Sequence, residues 1–166
     1  MASLANPKKM AKLQSLSSQT PRRLKREALD FGVLNEHLGY FLRRLQIELF
    51  KDFIGSLSAF DLRPAQYSVL VLIGTNPGRS QMQIGDALNI ERARLTKMLN
   101  ELETREWVQR LPAVNDGRSH ALFLTVEGKK SLDQIKMLAS NHETHVARLI
   151  GQKRRRQLME LLKDFG

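Results

Sequence analysis

The chain has 166 residues, no cysteine and a formal net charge of +10, and 42% of its residues are hydrophobic. That length and apolar content suit one compact domain with arms, and the charge points to a polyanionic partner. The absence of cysteine excludes disulfides, thiolate zinc sites, a thiol nucleophile and a cysteine redox switch. No apolar run approaches the ~20 residues of a spanning helix, so nucleic acid is favoured over a membrane and a cytoplasmic protein is expected.

Lys8, Lys9, Lys12, Arg22, Arg23, Lys25 and Arg26 lie in an opening stretch without acids, which reads as a basic arm to about Pro21, partly helical around Met10 to Leu16. A cleaved transit peptide has the same composition, and no apolar segment supports secretion. From Leu34, the residues Leu38, Phe41, Leu42, Leu45, Leu49 and Phe53 recur at helical spacing, predicting one long amphipathic helix ending near Gly55. Pro64 opens a second helix at a position where its missing N–H costs nothing, and Asn76-Pro77-Gly78 stops it.

Ser80 with Gln83 reads as a capping box for a short helix through Leu88. Asn89-Ile90-Glu91 then turns into a third helix that carries Leu95, Leu99 and Leu102 inward. Its other face presents Arg92, Arg94, Thr96, Lys97 and Asn100, side chains able to read base edges or grip phosphates in a major groove. After Trp107, residues 108–111 and 120–124 read as two strands joined by a turn-rich tip from Pro112 to Ser119. The layout is that of a winged helix-turn-helix. Thr125 caps a further helix with a stripe of Leu132, Ile135, Ala139, His142, Val146 and Leu149, and a last helix follows Gly151 with Leu158, Leu161, Leu162 and Phe165 apolar.

Taken together, residues Leu62 to Leu70, Leu95 to Glu103, Trp107 to Arg110, Asp116-Gly117-Arg118-Ser119 and Leu124 to Gly128 resemble the multiple antibiotic resistance regulator (MarR) family. The resemblance runs from about residue 34 to the C-terminus, and the wing motif followed by Leu-Thr-x-x-Gly is specific in that order. It implies a mostly α fold with a β wing, and a homodimer whose N- and C-terminal helices interlock to set two winged heads on a pseudo-palindromic double-stranded DNA operator. The chain then divides into a basic arm (1–21), an N-terminal dimerisation region (22–61), the winged helix-turn-helix (62–128) and C-terminal dimerisation helices (129–166). Arg118 would be the minor-groove arginine, Asp116 its local organiser, Ser119 its neighbour in the tip, and Ser80 and Gln81 would join residues 92–100 at the DNA.

Two positions depart from the family pattern. Glu106 stands where glycine usually follows the recognition helix, a strain of ~1 kcal/mol if the left-handed exit is kept, so a different exit is expected. Arg63 stands where a capping threonine is favoured, which predicts loss of a side-chain cap worth ~1 kcal/mol.

The family commonly releases DNA when a small effector binds. His37, Tyr40, Phe41 and Arg44, completed by Phe60 and Tyr67, offer apolar surface, hydrogen bonding and a cation for an aromatic acid or its coenzyme A thioester. The same residues equally fit ordinary packing at a dimer core, and Arg43 and Arg44 equally fit a solvated face. The segment 34–53 also resembles the branch that controls catabolism of plant-derived aromatic acids. His142 and His145 sit three apart, but Glu143 points elsewhere, and no metal is expected. Lys153 to Arg156 reads as a solvated or phosphate-steering face. No phosphate-cradling glycine loop, nucleophile elbow or metal grouping is present. That argues against an enzyme and a cofactor, and leaves a ligand-responsive repressor, a non-sensing architectural DNA or RNA binder, or a winged-helix scaffold for protein.

Overall fold

The structure, a computed structural model, describes residues 29–113 and 116–164, and their side chains except those of 113–119. The expectations for the basic arm, for the side chains of Asp116, Arg118 and Ser119, and for Phe165 lie outside the described residues. The chain divides into two units at His37. In the first, Gly32–Glu36 form a 3-10 turn, closed by the His37 N–H donating to Leu34 O at 3.2 Å.

His37 then takes extended backbone (φ −92°, ψ 114°). No α-helix tolerates that residue conformation, so the helix expected from Leu34 is broken there. Helix α1 runs over Leu38–Ser56 and buries none of its residues completely; Phe41, Leu42, Ile47, Phe50 and Ile54 stay exposed.

A second 3-10 turn, Ser58–Phe60, ends on left-handed Asp61 (φ 44°) and leads into helix α2, Pro64–Thr75. Arg63 has no side-chain acceptor to offer, yet the helix start is not left bare. The Arg63 N–H donates to Gln66 Oε1 at 3.1 Å, so the reciprocal half of a capping box survives without the threonine. Helix α2 buries Val69, Leu70 and Ile73 as the floor of the core, each contributing ~2 kcal/mol by removal from water.

Strand β1 (Arg79–Ser80) precedes helix α3 (Gln81–Leu88). The expected capping box is present: Gln83 N–H donates to Ser80 Oγ at 3.2 Å, and Ser80 N–H to Gln83 Oε1 at 3.0 Å. Left-handed Asn89 (φ 49°) ends α3, with Ile90 N–H donating to Gly85 O at 2.9 Å. That pairing turns the chain into helix α4, Arg92–Thr104, whose Leu95, Met98, Leu99 and Leu102 are buried as the period predicts.

The hairpin consists of β2 (Val108–Ala113) and β3 (Asp116–Leu124), and the sheet order is β1-β3-β2, antiparallel throughout. The strands extend into the segment read as tip, with a register shift between Pro112 and Ala113. The pairing of Arg79 and Ser80 with Leu122 and Ala121 was not legible, because two residues carry no alternation to read. Helix α5 (Val126–Ile150) is capped by Thr125, whose Oγ1 accepts from Gly128 N–H at 2.9 Å, and α6 covers Gln152–Lys163. The α5 stripe is buried through Val146, whereas Leu149 is 71% exposed, a correction to the expected stripe.

The exit from α4 keeps the left-handed form despite Glu106, which sits at φ 58°. Glu106 N–H donates to Glu103 O (2.8 Å) and Trp107 N–H to Leu102 O (3.0 Å), the paired bonds of a Schellman turn, with buried Trp107 and Leu102 as its apolar contact. These bonds, and the Thr125 hydroxyl donating to Glu106 O, hold a residue that the backbone alone disfavours. Glu106→Gly is therefore expected to stabilise the protein by about 1 kcal/mol, seen as a higher urea midpoint at unchanged slope; an unchanged or lower midpoint would mean the turn carries no strain.

Candidate DNA interface and effector pocket

The exposed face of α4 presents Arg92, Arg94, Lys97 and Asn100 together, while Thr96 is half-buried. Thr96 is occupied within the protein: Gln81 Nε2 donates to its Oγ1 at 2.6 Å, and the hydroxyl donates on to Arg92 O at 2.8 Å. These two residues, predicted as DNA contacts, thus lock α3 against α4, leaving the threonine methyl for apolar contact with a base. Ser80 Oγ accepts within its cap, so its own hydroxyl hydrogen is the group available to a phosphate.

Sequence reasoning missed the group that fixes Asn100. Arg110, on β2, donates from Nη2 to Asn100 Oδ1 at 3.1 Å and pairs through Nη1 with Glu103. The carbonyl end of Asn100 is taken up this way, so its NH2 is presented outward. Both partners of the Arg110–Glu103 pair are largely buried (23% and 29% exposed), so hairpin and recognition helix are joined by a charge-assisted bond with limited screening. A cavity of 430 Å³ lies beside this joint, lined by Gln81, Arg92, Arg110 and His120. The only sequence signal for Arg110 was its place at the strand entry.

The six expected effector residues are not gathered at one point. Tyr40 and Phe41 meet edge to face (5.7 Å between centroids), and Arg44 lies over the Tyr40 ring at 5.6 Å, all in the first turns of α1. Phe60 packs against Trp107 (6.1 Å). His37 belongs to the N-terminal unit. Tyr67 instead lines a mostly apolar cavity of 350 Å³ with Leu49, Phe50, Phe53, His142 and Val146. Along α1, Tyr40 and Phe53 are about 20 Å apart at 1.5 Å per residue.

Within this cavity the chemistry is specific. Phe53 contacts both Tyr67 (5.4 Å) and, edge to face, His142 (5.3 Å, 89°). His142 is 6% exposed, and neither ring nitrogen has a hydrogen-bond partner among the described residues; Asp52 Oδ2 lies 3.3 Å from Nε2 but outside hydrogen-bond geometry. The imidazole is therefore buried with a carboxylate in contact but without a hydrogen bond. Burial, with the Glu143 carboxylate adding to it, pushes the Tyr67 phenol above its usual range. Glu143 itself pairs with Arg155 (2.5 Å), which takes one member of the basic run on α6 out of the solvated set. Among the described residues no cluster of three metal-ligating side chains occurs, and no helix is long and apolar enough to cross a membrane.

A recognition helix braced by a basic hairpin, between helices that leave apolar faces uncovered, defines a dimeric winged-helix DNA-binding regulator. The chain belongs to the MarR family, whose profile matches residues 60–119. It is similar to the transcriptional repressor CouR bound to a 23-mer DNA duplex, at 40% identity and a TM-score of 0.79, covering 83% of this chain and 98% of that one. CouR bound to p-coumaroyl-CoA aligns at 37% identity and a TM-score of 0.77, over 83% and 97% of the two chains. The protein assigned as regulator of the hcr operon in Thauera aromatica is 29% identical over 133 residues, 80% of each chain. This protein is thus a MarR-type transcriptional regulator, of a family that acts as dimers on DNA, and α1 and α6 carry exposed apolar residues.

Replacing Arg110 by Met keeps the apolar stem but strands Glu103 and frees Asn100. The expected result is a stability loss of about 1 to 2 kcal/mol by urea unfolding and a reduced ratio of operator to scrambled-DNA affinity. An intact ratio would show that Asn100 needs no brace.

Proposed function

We infer that this regulator is a repressor released from its operator by an aromatic acyl coenzyme A thioester or the corresponding acid, and that it controls aromatic compound catabolism. The observation that carries this reading is the mostly apolar cavity lined by Tyr67 and by a buried His142 that makes no hydrogen bond. A phenolic ring fits its walls, and a hydroxyl or carbonyl on the ligand would satisfy the imidazole. The likeness to CouR, which binds p-coumaroyl-CoA, supports the thioester form. Arg43 and Arg44 lie further along the same helix, where cations suit the phosphates of a coenzyme A moiety.

The cavity is walled by α1, α2 and α5, so a ligand wedges between the dimerisation helices and the helix that floors the winged head. Release then requires only that the ligand favour a head spacing that does not match the operator's half-sites. On the DNA, Arg92, Arg94, Lys97 and Asn100 read the major groove, Ser80 and Gln81 hold flanking phosphates, and Arg118 in the wing enters the minor groove with Asp116 and Ser119 supporting it. In this reading the protein acts in the cytoplasm and catalyses nothing.

The test is fluorescence anisotropy on a duplex from upstream of the protein's own gene, at fixed salt, titrating p-coumaroyl-CoA beside p-coumaric acid. Micromolar release is expected. His142→Leu should raise the concentration needed by about tenfold, the worth of one hydrogen bond of ~1.4 kcal/mol, with DNA affinity kept; an unchanged release curve would move the effector elsewhere, and binding that no aromatic compound disturbs would leave a non-sensing architectural protein. Arg118→Ala should weaken operator binding by ~1 to 3 kcal/mol without lowering the melting temperature, and unchanged affinity would remove the wing from recognition.

A further inference from the structure

A second cavity, of 590 Å³, opens between the start of α2 and the side of α4, and its lining includes Arg63, Arg94, Lys97 and Arg105 against only Asp61 and Glu101. The two carboxylates are already engaged. Asp61 takes a hydrogen bond from Arg105 Nη2 at 3.5 Å, and Glu101 takes one from Gln66 Nε2 at 2.8 Å. Arg63, Arg94 and Lys97 are exposed, and none is ion-paired among the described residues. Three uncommitted cations beside one concave surface make an anion site.

Arg63 does not reach this cleft by chance of a loose loop. Its N–H is held by Gln66 Oε1 (3.1 Å) while the other end of the same amide, 5% exposed, grips Glu101 on the recognition helix. From the opposite side, Arg105 at the end of α4 donates to Phe60 O (2.6 Å) and Asp61 O (3.2 Å), the two residues of the turn that precedes Leu62 and Arg63. Arg105 also stacks on Trp107 at 5.2 Å. The recognition helix thus holds Arg63 through Gln66 and the turn before it through Arg105, so wherever α4 docks, Arg63 docks with it.

We propose that Arg63 is a DNA phosphate clamp: beside Arg94 and Lys97 on the reading helix, it grips the sugar-phosphate backbone at the edge of the major groove that α4 enters. Arg63 carries no sequence information in this role. It fixes the depth and register of the helix, and through the tether it transmits that register to α2, the helix flooring the effector cavity. The shared chemistry is a phosphate, which could also come from the effector's coenzyme A, and DNA is favoured because the cleft borders the reading face itself.

The test compares full-length wild type with Arg63→Thr, which restores a side-chain cap to α2, and with Arg63→Gln, which keeps the length of the chain. Anisotropy is measured on operator and scrambled duplexes from 50 to 200 mM salt, and p-coumaroyl-CoA binding without DNA by calorimetry. Two phosphate contacts per dimer, at a slope of about 0.9 each, should shrink the affinity lost over that salt range by about tenfold. Both variants should lose equally on both duplexes and bind the thioester like wild type, with melting temperatures maintained. An unchanged salt slope, or a loss confined to the operator, would overturn the proposal. So would weakened thioester binding with DNA affinity intact, which would give the cleft to the effector. The salt slope and the affinities for the two duplexes are measured without any effector, so they stand apart from whether any aromatic compound releases the operator.

Discussion

The backbone of Trp107 is the joint on which the DNA-facing elements depend. Its N–H closes the exit of α4 on Leu102 O, and its carbonyl accepts the Thr125 N–H at 3.1 Å, just before α5. A Cβ on Gly128 would stand 1.9 Å from that same carbonyl oxygen, so the first turn of α5 lies directly against it. The indole meets Phe60 edge to face and carries Arg105 over its ring. Recognition helix, hairpin and the long helix α5 therefore meet at one peptide.

That joint also explains which parts of the chain were readable. Leu95, Leu99 and Leu102 announce α4 because a helix buried on one side must repeat apolar residues at its own period; the Ser80 and Gln83 pair announces α3 because a cap needs those two side chains at that spacing. Glu106 was read as a reason for a changed exit, yet neighbouring hydrogen bonds overrode a local preference of order 1 kcal/mol. Arg63 was read as a lost cap, and Gln66, three residues on, supplied half of it. The break at His37 was invisible because the apolar spacing continues across it; hydrophobic period does not report φ and ψ.

The effector residues were less legible than the DNA face. A reading face consists of neighbours along one helix, and sequence order preserves them. A cavity is assembled from α1, α2 and α5, and Phe53, Tyr67 and His142 are brought together by packing across nearly ninety positions of chain. His142 is expected from the sequence in the apolar stripe of α5 and is buried there, while His145, three residues on, is exposed. What marks His142 is its burial without a hydrogen bond, against Phe53 and Asp52, a property no sequence displays.

The register shift between Pro112 and Ala113 falls on β2, which has a neighbour on one side only. An outer strand with a regular ladder of free amides is an adhesive edge, ready to zip against the same strand of another molecule. A proline gives that edge one donor fewer, and the kink spoils its alignment with any straight incoming strand. The outer strand is thereby kept from recruiting its own kind. In a crowded cell this keeps each wing available for a groove rather than for another wing.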